Sequence, residues 1–191
     1  MATITQKFTP TAQRWGDSWT AGAKAYDGDM STYGSSSAGV GHPGAFVLDL
    51  SSIPVGCVIT KVAYRYFLYR TDNANYCKLR GAMGYAEAGT SGSSGIHQVT
   101  EWCEIPLTAY KVTEETYTEQ TITAGQSAQI LSGTPLLYVT IQNAHRVYEI
   151  AVDITYEPAA PKLFVGDKAV TDVYVGDKRA TAVYIGDKRI L

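Results

Sequence analysis

Residues 58–70 read VITKVAYRYFLYR, and the alternation within this segment decides the class of fold. Successive side chains of a β-strand point to opposite faces, so the two sets of alternate positions can be compared. Val62, Tyr64, Tyr66 and Leu68 form an apolar set, whereas the set between them contains Arg65. The segment therefore predicts a long strand that covers a core on one side and meets solvent on the other.

The same period of two, with β-branched and aromatic residues, recurs along the chain. We predict further strands at 46–50, 76–85, 98–105, 116–122, 136–142 and 147–156. In the last strand, the apolar face consists of Tyr148, Ile150, Val152, Ile154 and Tyr156. Residues 16–44 show no periodicity and predict a long loop, and 124–131 predict at most one helical turn. This pattern favours an all-β sandwich of two sheets with jelly-roll topology.

The C-terminal residues 163–191 consist of three ten-residue repeats. The block FVGDK at 164–168 returns as YVGDK at 174–178 and as YIGDK at 184–188. A Gly-Asp pair between apolar residues is typical of a tight hairpin turn, so each copy predicts one small β-hairpin. A hairpin of this length cannot bury an apolar face alone. The copies must therefore stack on one another, on the preceding domain or on other chains.

These patterns divide the chain into three parts. We predict a jelly-roll domain over residues 1–157, a stiff Pro/Ala linker over 158–162, and an arm of three β-hairpin repeats over 163–191. Because the arm needs an apolar surface to stack on, we predict a homo-oligomer that is held in part by the repeats.

Charge and composition exclude several classes of function. A net charge of −2 and a pI near 5.9 argue against a nucleic-acid partner, which requires a basic surface. The N-terminus lacks the apolar core of a signal peptide, and no apolar run reaches the length of a membrane span. We expect a soluble product of the cytoplasm without membrane insertion. Cys57, Cys77 and Cys103 leave at least one thiol unpaired, and we expect buried free thiols.

No pattern of catalytic residues stands out. His42, His97 and His145 are scattered, and none belongs to a metal-binding or Cys-His pattern. The chain lacks the spacing of a nucleophile elbow and of a phosphate-binding loop. The Glu residues at 114, 115 and 119 are interpreted as a solvated face rather than a glycosidase pair. We therefore predict that the protein is not an enzyme.

Aromatic residues near loops suggest a binding site. Sugar rings stack on Trp and Tyr faces, and polar side chains beside them recognise hydroxyl groups. Trp15 and Trp19 flank the long loop, Tyr33 lies near its centre, and Arg146 precedes the last strand. These four residues are our candidates for glycan binding. Burial in the core is the competing interpretation for each of the aromatics.

Three segments carry a resemblance to a known family: AYDGDMST at 25–32, FVLDL at 46–50 and YEIAV at 148–152. Together they resemble the discoidin-type domain, the jelly roll of coagulation-factor C domains and many bacterial carbohydrate-binding modules. The resemblance implies a structural calcium ion held by Asp27, Asp29, Thr32 and Glu149. Oxygen ligands on a Gly-containing loop suit Ca²⁺, although a solvated turn explains the same acidic pair.

The repeats carry a second resemblance. Tandem copies of aromatic-Val-Gly-Asp-Lys resemble short repeats at the ends of tail, baseplate and fibre proteins of bacteriophages and prophages. This implies a non-enzymatic virion protein that is structural or receptor-binding, with other tail proteins and cell-surface polysaccharide as partners. The analogy with phage fibres favours a trimer. The alternative is a carbohydrate-binding accessory module of a polysaccharide-processing system, and a glycoside-processing enzyme is a third class without identifiable residues.

Overall fold

The computed structural model describes residues 3–16, 19–36, 42–70, 79–105, 116–141 and 145–158, and the paired strands of the repeats between 163 and 189. Within these residues, two six-stranded antiparallel sheets enclose one main apolar core. The prediction of an all-β sandwich is confirmed. No helix in the described part of the chain is long and apolar enough to cross a membrane.

The strands of the sandwich are short except for two. In chain order they are β1 (Ile4–Phe8), β2 (Pro10–Trp15), β3 (Trp19–Thr20), β4 (Gly34–Ser36), β5 (His42–Leu48), β6 (Val58–Arg70), β7 (Leu79–Ala86), β8 (Ile96–Gln98), β9 (Cys103–Ile105), β10 (Thr116–Thr121), β11 (Thr134–Ile141) and β12 (His145–Glu157). A 3₁₀ helix spans Gly22–Ala25, and the helix α1 spans Ala124–Ile130.

The strand order is that of a jelly roll. In the first sheet β1 lies beside β12, followed by β6 and β10, and the short strands β4 and β3 extend the other end of β12. In the second sheet β5 lies beside β11, followed by β7 with β8 and β9, and β2 covers the outer edge of β5. The chain thus pairs its first strand with its last and crosses repeatedly between the sheets, as in jelly-roll folds.

The alternation of β6 is confirmed. Val62, Tyr64, Tyr66 and Leu68 are fully buried between the sheets, whereas Arg65 on the opposite face is partly exposed. Each large apolar side chain buried in this way contributes on the order of 1.5–3 kcal/mol relative to exposure. β6 is therefore the central element on which β10 and β12 assemble.

The pairing of β12 with β6 contains an irregularity that the sequence did not predict. Val147 faces Leu68 and Glu149 faces Phe67, so Tyr148 is an extra residue in a β-bulge. Val147 is buried in the core, while the partly exposed Tyr148 lies beside Phe67 on the outer face. The prediction that Tyr148 belongs to the buried face is wrong, because one inserted residue reverses a period of two.

The long loop predicted over 16–44 contains regular structure. It holds β3, the 3₁₀ helix and β4, and the buried side chains Trp19 and Ala25 attach it to the core. Tertiary contacts rather than a local pattern create these short elements.

The helix α1 is longer than the single turn predicted. Thr123 caps it, because its hydroxyl accepts a hydrogen bond from the Gln126 backbone N–H, and the Gln126 side chain accepts one from the Thr123 N–H. This capping box satisfies two otherwise unpaired donors at the start of the helix. Of the cysteines, Cys57 is buried and Cys103 partly buried, both as free thiols, and Cys77 lies outside the described residues.

Each repeat contains two short antiparallel strands. These are β13 (Leu163–Val165) with β14 (Lys168–Val170), β15 (Tyr174–Val175) with β16 (Lys178–Arg179), and β17 (Tyr184–Ile185) with β18 (Lys188–Arg189). The Gly-Asp pairs between them and the linker residues 159–162 lie outside the described residues. The stacking of the repeats stays a prediction.

Candidate functional site

The outer face of the first sheet carries a group of three aromatic rings and one arginine. The ring centroids of Tyr33 and Tyr148 are 5.9 Å apart, and those of Tyr148 and Phe67 are 6.3 Å apart, both in edge-to-face geometry. The guanidinium carbon of Arg146 lies 4.8 Å from the centroid of Tyr33. We call Tyr33, Phe67, Tyr148 and Arg146 the aromatic-arginine cluster.

Two local features of the backbone bring the cluster together. β4 pairs with the start of β12, where Gly34 faces Val147, so Tyr33 reaches the same end of the sheet as Arg146. A Cβ atom at Gly34 would lie 3.1 Å from the Ala21 carbonyl oxygen, so glycine permits this close approach. The β-bulge at Tyr148 turns the second tyrosine to the outside.

The cluster combines ring faces with hydrogen-bond donors. Tyr33 is 39% exposed, so part of its ring is accessible to a ligand. Edge-to-face packing of aromatic rings and an arginine over a ring each contribute about 0.5–1 kcal/mol, which restrains the Tyr33 side chain. A restrained ring beside a guanidinium group is suited to a ligand that has both an apolar face and oxygen acceptors.

Three ion pairs lie on the same outer face. The pairs are Lys7–Glu149 at 2.8 Å, Arg65–Asp153 at 2.6 Å and Lys61–Glu119 at 3.0 Å. Surface pairs of this kind contribute about 0–1 kcal/mol each to stability. They give the aromatic-arginine cluster a polar surround in which positive and negative groups are paired.

The two tryptophans predicted as ligand platforms lie elsewhere. Trp19 is buried in the core, where its ring packs edge-to-face against Phe46 at a centroid distance of 5.1 Å. Trp15 is partly buried on the outer face of the second sheet, where it packs against a smaller apolar cluster that includes Tyr138. The structure thus brings Tyr33 and Arg146 together and separates both tryptophans from them.

The acidic loop predicted to bind calcium is held by its own hydrogen bonds. Asp27 accepts from the Asp29 N–H at 2.9 Å and from the Thr32 hydroxyl at 2.8 Å, and Lys24 lies 3.3 Å away. Asp29 accepts from the N–H and the hydroxyl of Ser31. The Asp29 N–H holds the pKa of Asp27 below its ordinary value, and the Ser31 hydroxyl does the same for Asp29. Both carboxylates therefore stay ionised at neutral pH.

The four predicted calcium ligands come from two elements of the fold, the loop before β4 and strand β12. Asp27, Asp29 and Thr32 share a loop and have the oxygen chemistry that suits Ca²⁺. Glu149 instead accepts a hydrogen bond from Lys7 on β1. Within the described ranges, no three His, Cys, Asp or Glu side chains form a group that could hold a metal ion. Calcium binding stays a prediction.

Sequence reasoning missed Phe67 and Tyr148 as members of the cluster. Phe67 shares the partly exposed face of β6 with Arg65. An aromatic residue on the solvent-facing side of a predicted strand can be recognised from the sequence as a candidate for binding. Tyr148 offers no comparable signal, because its exposure depends on the bulge in the pairing of β12 with β6.

The fold and the site together define the class: a jelly-roll β-sandwich with an aromatic-arginine cluster on one outer face and a C-terminal repeat region. Comparison of the sequence with protein-family models and with curated proteins finds no match. The function is accordingly inferred from the geometry of the residues and from the repeats.

Proposed function

We propose that this chain is a non-enzymatic, receptor-binding component of a bacteriophage or prophage tail. In this proposal the jelly roll binds a cell-surface glycan, and the repeats join the chain to its own copies and to other tail proteins. The observation that carries the glycan-binding part is Arg146 over the ring of the exposed Tyr33, with Tyr148 and Phe67 behind it. The tail part rests on the resemblance of the repeats to those of phage tail proteins.

The cluster recognises the two chemical properties of a sugar ring. The apolar C–H face of a pyranose packs on the accessible part of the Tyr33 ring. The guanidinium group of Arg146 donates hydrogen bonds to hydroxyl or carboxylate oxygens at the edge of the same sugar. Because Tyr148 and Arg146 already restrain Tyr33, less side-chain freedom is lost on binding than at an isolated tyrosine.

The test is binding of the full chain to a glycan array and to purified bacterial cell-wall polysaccharide, with Tyr33→Ala and Arg146→Gln as variants. A tyrosine buries roughly 200 Å², so the 39% exposure of Tyr33 leaves on the order of 80 Å² for a ligand. At about 25 cal/mol per Å² this is at most about 2 kcal/mol, or about a 30-fold increase in Kd for Tyr33→Ala. Loss of a charge-assisted hydrogen bond predicts at least a tenfold increase for Arg146→Gln.

The matched control is Tyr85→Ala. Tyr85 lies on the second sheet, where it stacks on His97 at a centroid distance of 4.8 Å, so this variant also loses a tyrosine packed on a nitrogen-containing side chain. We expect its glycan binding to equal that of the unmodified chain. If Tyr33→Ala and Arg146→Gln bind glycan as tightly as the unmodified chain and Tyr85→Ala do, the proposed site is refuted. Absence of any glycan binding, together with a stable oligomer in light scattering, would leave only a structural role in the tail.

A further inference from the structure

Exposed large apolar side chains of the described residues lie at the two ends of the sandwich. Met30 and Tyr33 lie together just before β4, at the end where β12 begins. Ile4, Val55, Val58 and Leu131 lie at the opposite end. We call these four residues the exit-end patch, because β12 ends beside them.

The pairing of the strands places the patch at one end. Ile4 is paired with Tyr156, and Val58 is paired with Glu157, the last residue of β12. Val55 belongs to the turn directly before β6, which the Cys57 N–H closes on the Pro54 carbonyl. Leu131 directly follows α1, and this helix is attached to the start of β6 by the hydrogen bond from the Ile59 N–H to the Ser127 hydroxyl.

The first repeat is tethered next to this patch. β12 ends at Glu157 beside Val58, and β13 begins at Leu163. The chain from Pro158 to Leu163 spans at most about 17 Å when fully extended. A segment on so short a tether experiences an effective concentration in the millimolar range at the patch, so even a weak apolar contact is populated.

The first repeat also differs from the other two in its chemistry. Phe164 is paired with Ala169 in the first hairpin, whereas Tyr174 is paired with Arg179, and Tyr184 with Arg189, in the others. Leu163 is paired with Val170 in the first hairpin, and the equivalent positions of the other repeats are apolar in sequence too. At the position of Phe164 and Ala169 the first repeat therefore has two apolar residues, where the other repeats have a tyrosine and an arginine. Such a hairpin needs an apolar surface more than its two successors do.

We propose that the exit-end patch is the docking site of the first repeat, residues 163–170, of the same chain. Docking leaves the second and third repeats for contacts with other copies or other tail proteins. It also fixes the direction of the arm. β12 is 13 residues long, about 40 Å, and the aromatic-arginine cluster lies at its other end. The cluster, which the proposed function assigns to the ligand, then lies at the end of β12 opposite the docked repeat.

The test compares amide hydrogen exchange in the unmodified full chain with exchange in two full-length variants, Val55→Lys and Leu131→Lys. Val55 is fully exposed, Leu131 is 38% exposed, and lysine is favourable at the end of a helix, so we expect both variants to fold. We expect exchange to rise at least tenfold within 163–165 and 168–170, and less than twofold in the second and third repeats. The control Met30→Lys, an exposed residue at the other end, should change none of them. The amides of Tyr64 and Ile150 report the fold in the same experiment.

Three results would overturn the proposal. The first is that neither lysine changes exchange in the first repeat while the core amides stay protected. The second is that exchange rises equally in all three repeats. The third is that protection of the first repeat in the unmodified chain is lost on tenfold dilution, because docking within one chain does not depend on concentration. That outcome would assign the patch to a neighbouring copy.

Discussion

Gly81 is a residue whose replacement by alanine the structure predicts to be harmful, although the change adds only one methyl group. It is the third residue of β7 and is paired on one side with Val139 in β11 and on the other with Cys103 in β9. A Cβ atom at this position would lie 2.5 Å from Cδ1 of Tyr64, and 2.8 Å from the hydroxyl oxygen of Tyr66. Both tyrosines are fully buried, so neither ring has space to move aside.

The expected cost of Gly81→Ala follows from these distances. Overpacking a core by one carbon typically costs 1–3 kcal/mol, and contacts well below 3 Å with buried rings place this variant at about 3 kcal/mol. With a urea m-value of about 2 kcal/mol/M, the unfolding midpoint should fall by about 1.5 M. A loss of about 3 kcal/mol is a large share of the 5–15 kcal/mol that is the usual free energy of unfolding of a domain.

The assay is urea unfolding followed by circular dichroism, with Gly125→Ala as the matched control. Gly125 lies in α1, and apart from its chain neighbours and the helix backbone no atom lies within 4 Å of an added Cβ, so this change should stabilise the protein by about 0.5–1 kcal/mol. The double variant Gly81→Ala/Tyr66→Phe, which removes one clashing oxygen, should recover part of the loss. A Gly81→Ala protein within about 0.5 kcal/mol of the unmodified chain would refute the packing argument.

Three further predictions concern alkaline pH, calcium and assembly. Burial raises the pKa of Tyr138 to about 12 and those of Tyr64 and Tyr66 well above the ordinary value. The pKa values of these tyrosines in the folded state exceed the unfolded value of about 10. Their contribution to the free energy of unfolding is therefore fully present below about pH 10 and is lost as the pH rises through the folded pKa values. Tyrosinate absorbance of these residues should therefore appear together with loss of circular dichroism, and its appearance in a folded protein would contradict this. If calcium binds at Asp27, calcium added after a chelator should raise Tm in the unmodified chain and leave Asp27→Ala unchanged; identical melts throughout would exclude the site. In light scattering at equal concentration, the full chain should be oligomeric, as a trimer, and a chain ending at Pro158 monomeric; equal masses would show that the repeats do not assemble it.

The local sequence pattern predicts much of the fold. The alternation in β6 predicts which residues are buried, because a strand that covers a core must place apolar residues at every second position. The repeats likewise predict hairpins from the chemistry of a short turn, and the antiparallel pairs agree with this. For the site, the sequence indicates the loop tyrosine Tyr33 and the basic residue Arg146, and the structure places the two side chains in contact.

The sequence by itself therefore determined the all-β class, the buried face of β6 and two members of the candidate site. Only the tertiary structure decided which aromatics join them. Trp19 is in the core, while Tyr148 is outside it, because a β-bulge reverses the faces of β12. A period of two describes one strand in isolation and contains no information about an inserted residue. The pairing of β12 with β6 and β4 places that residue, and those partners are remote in the chain.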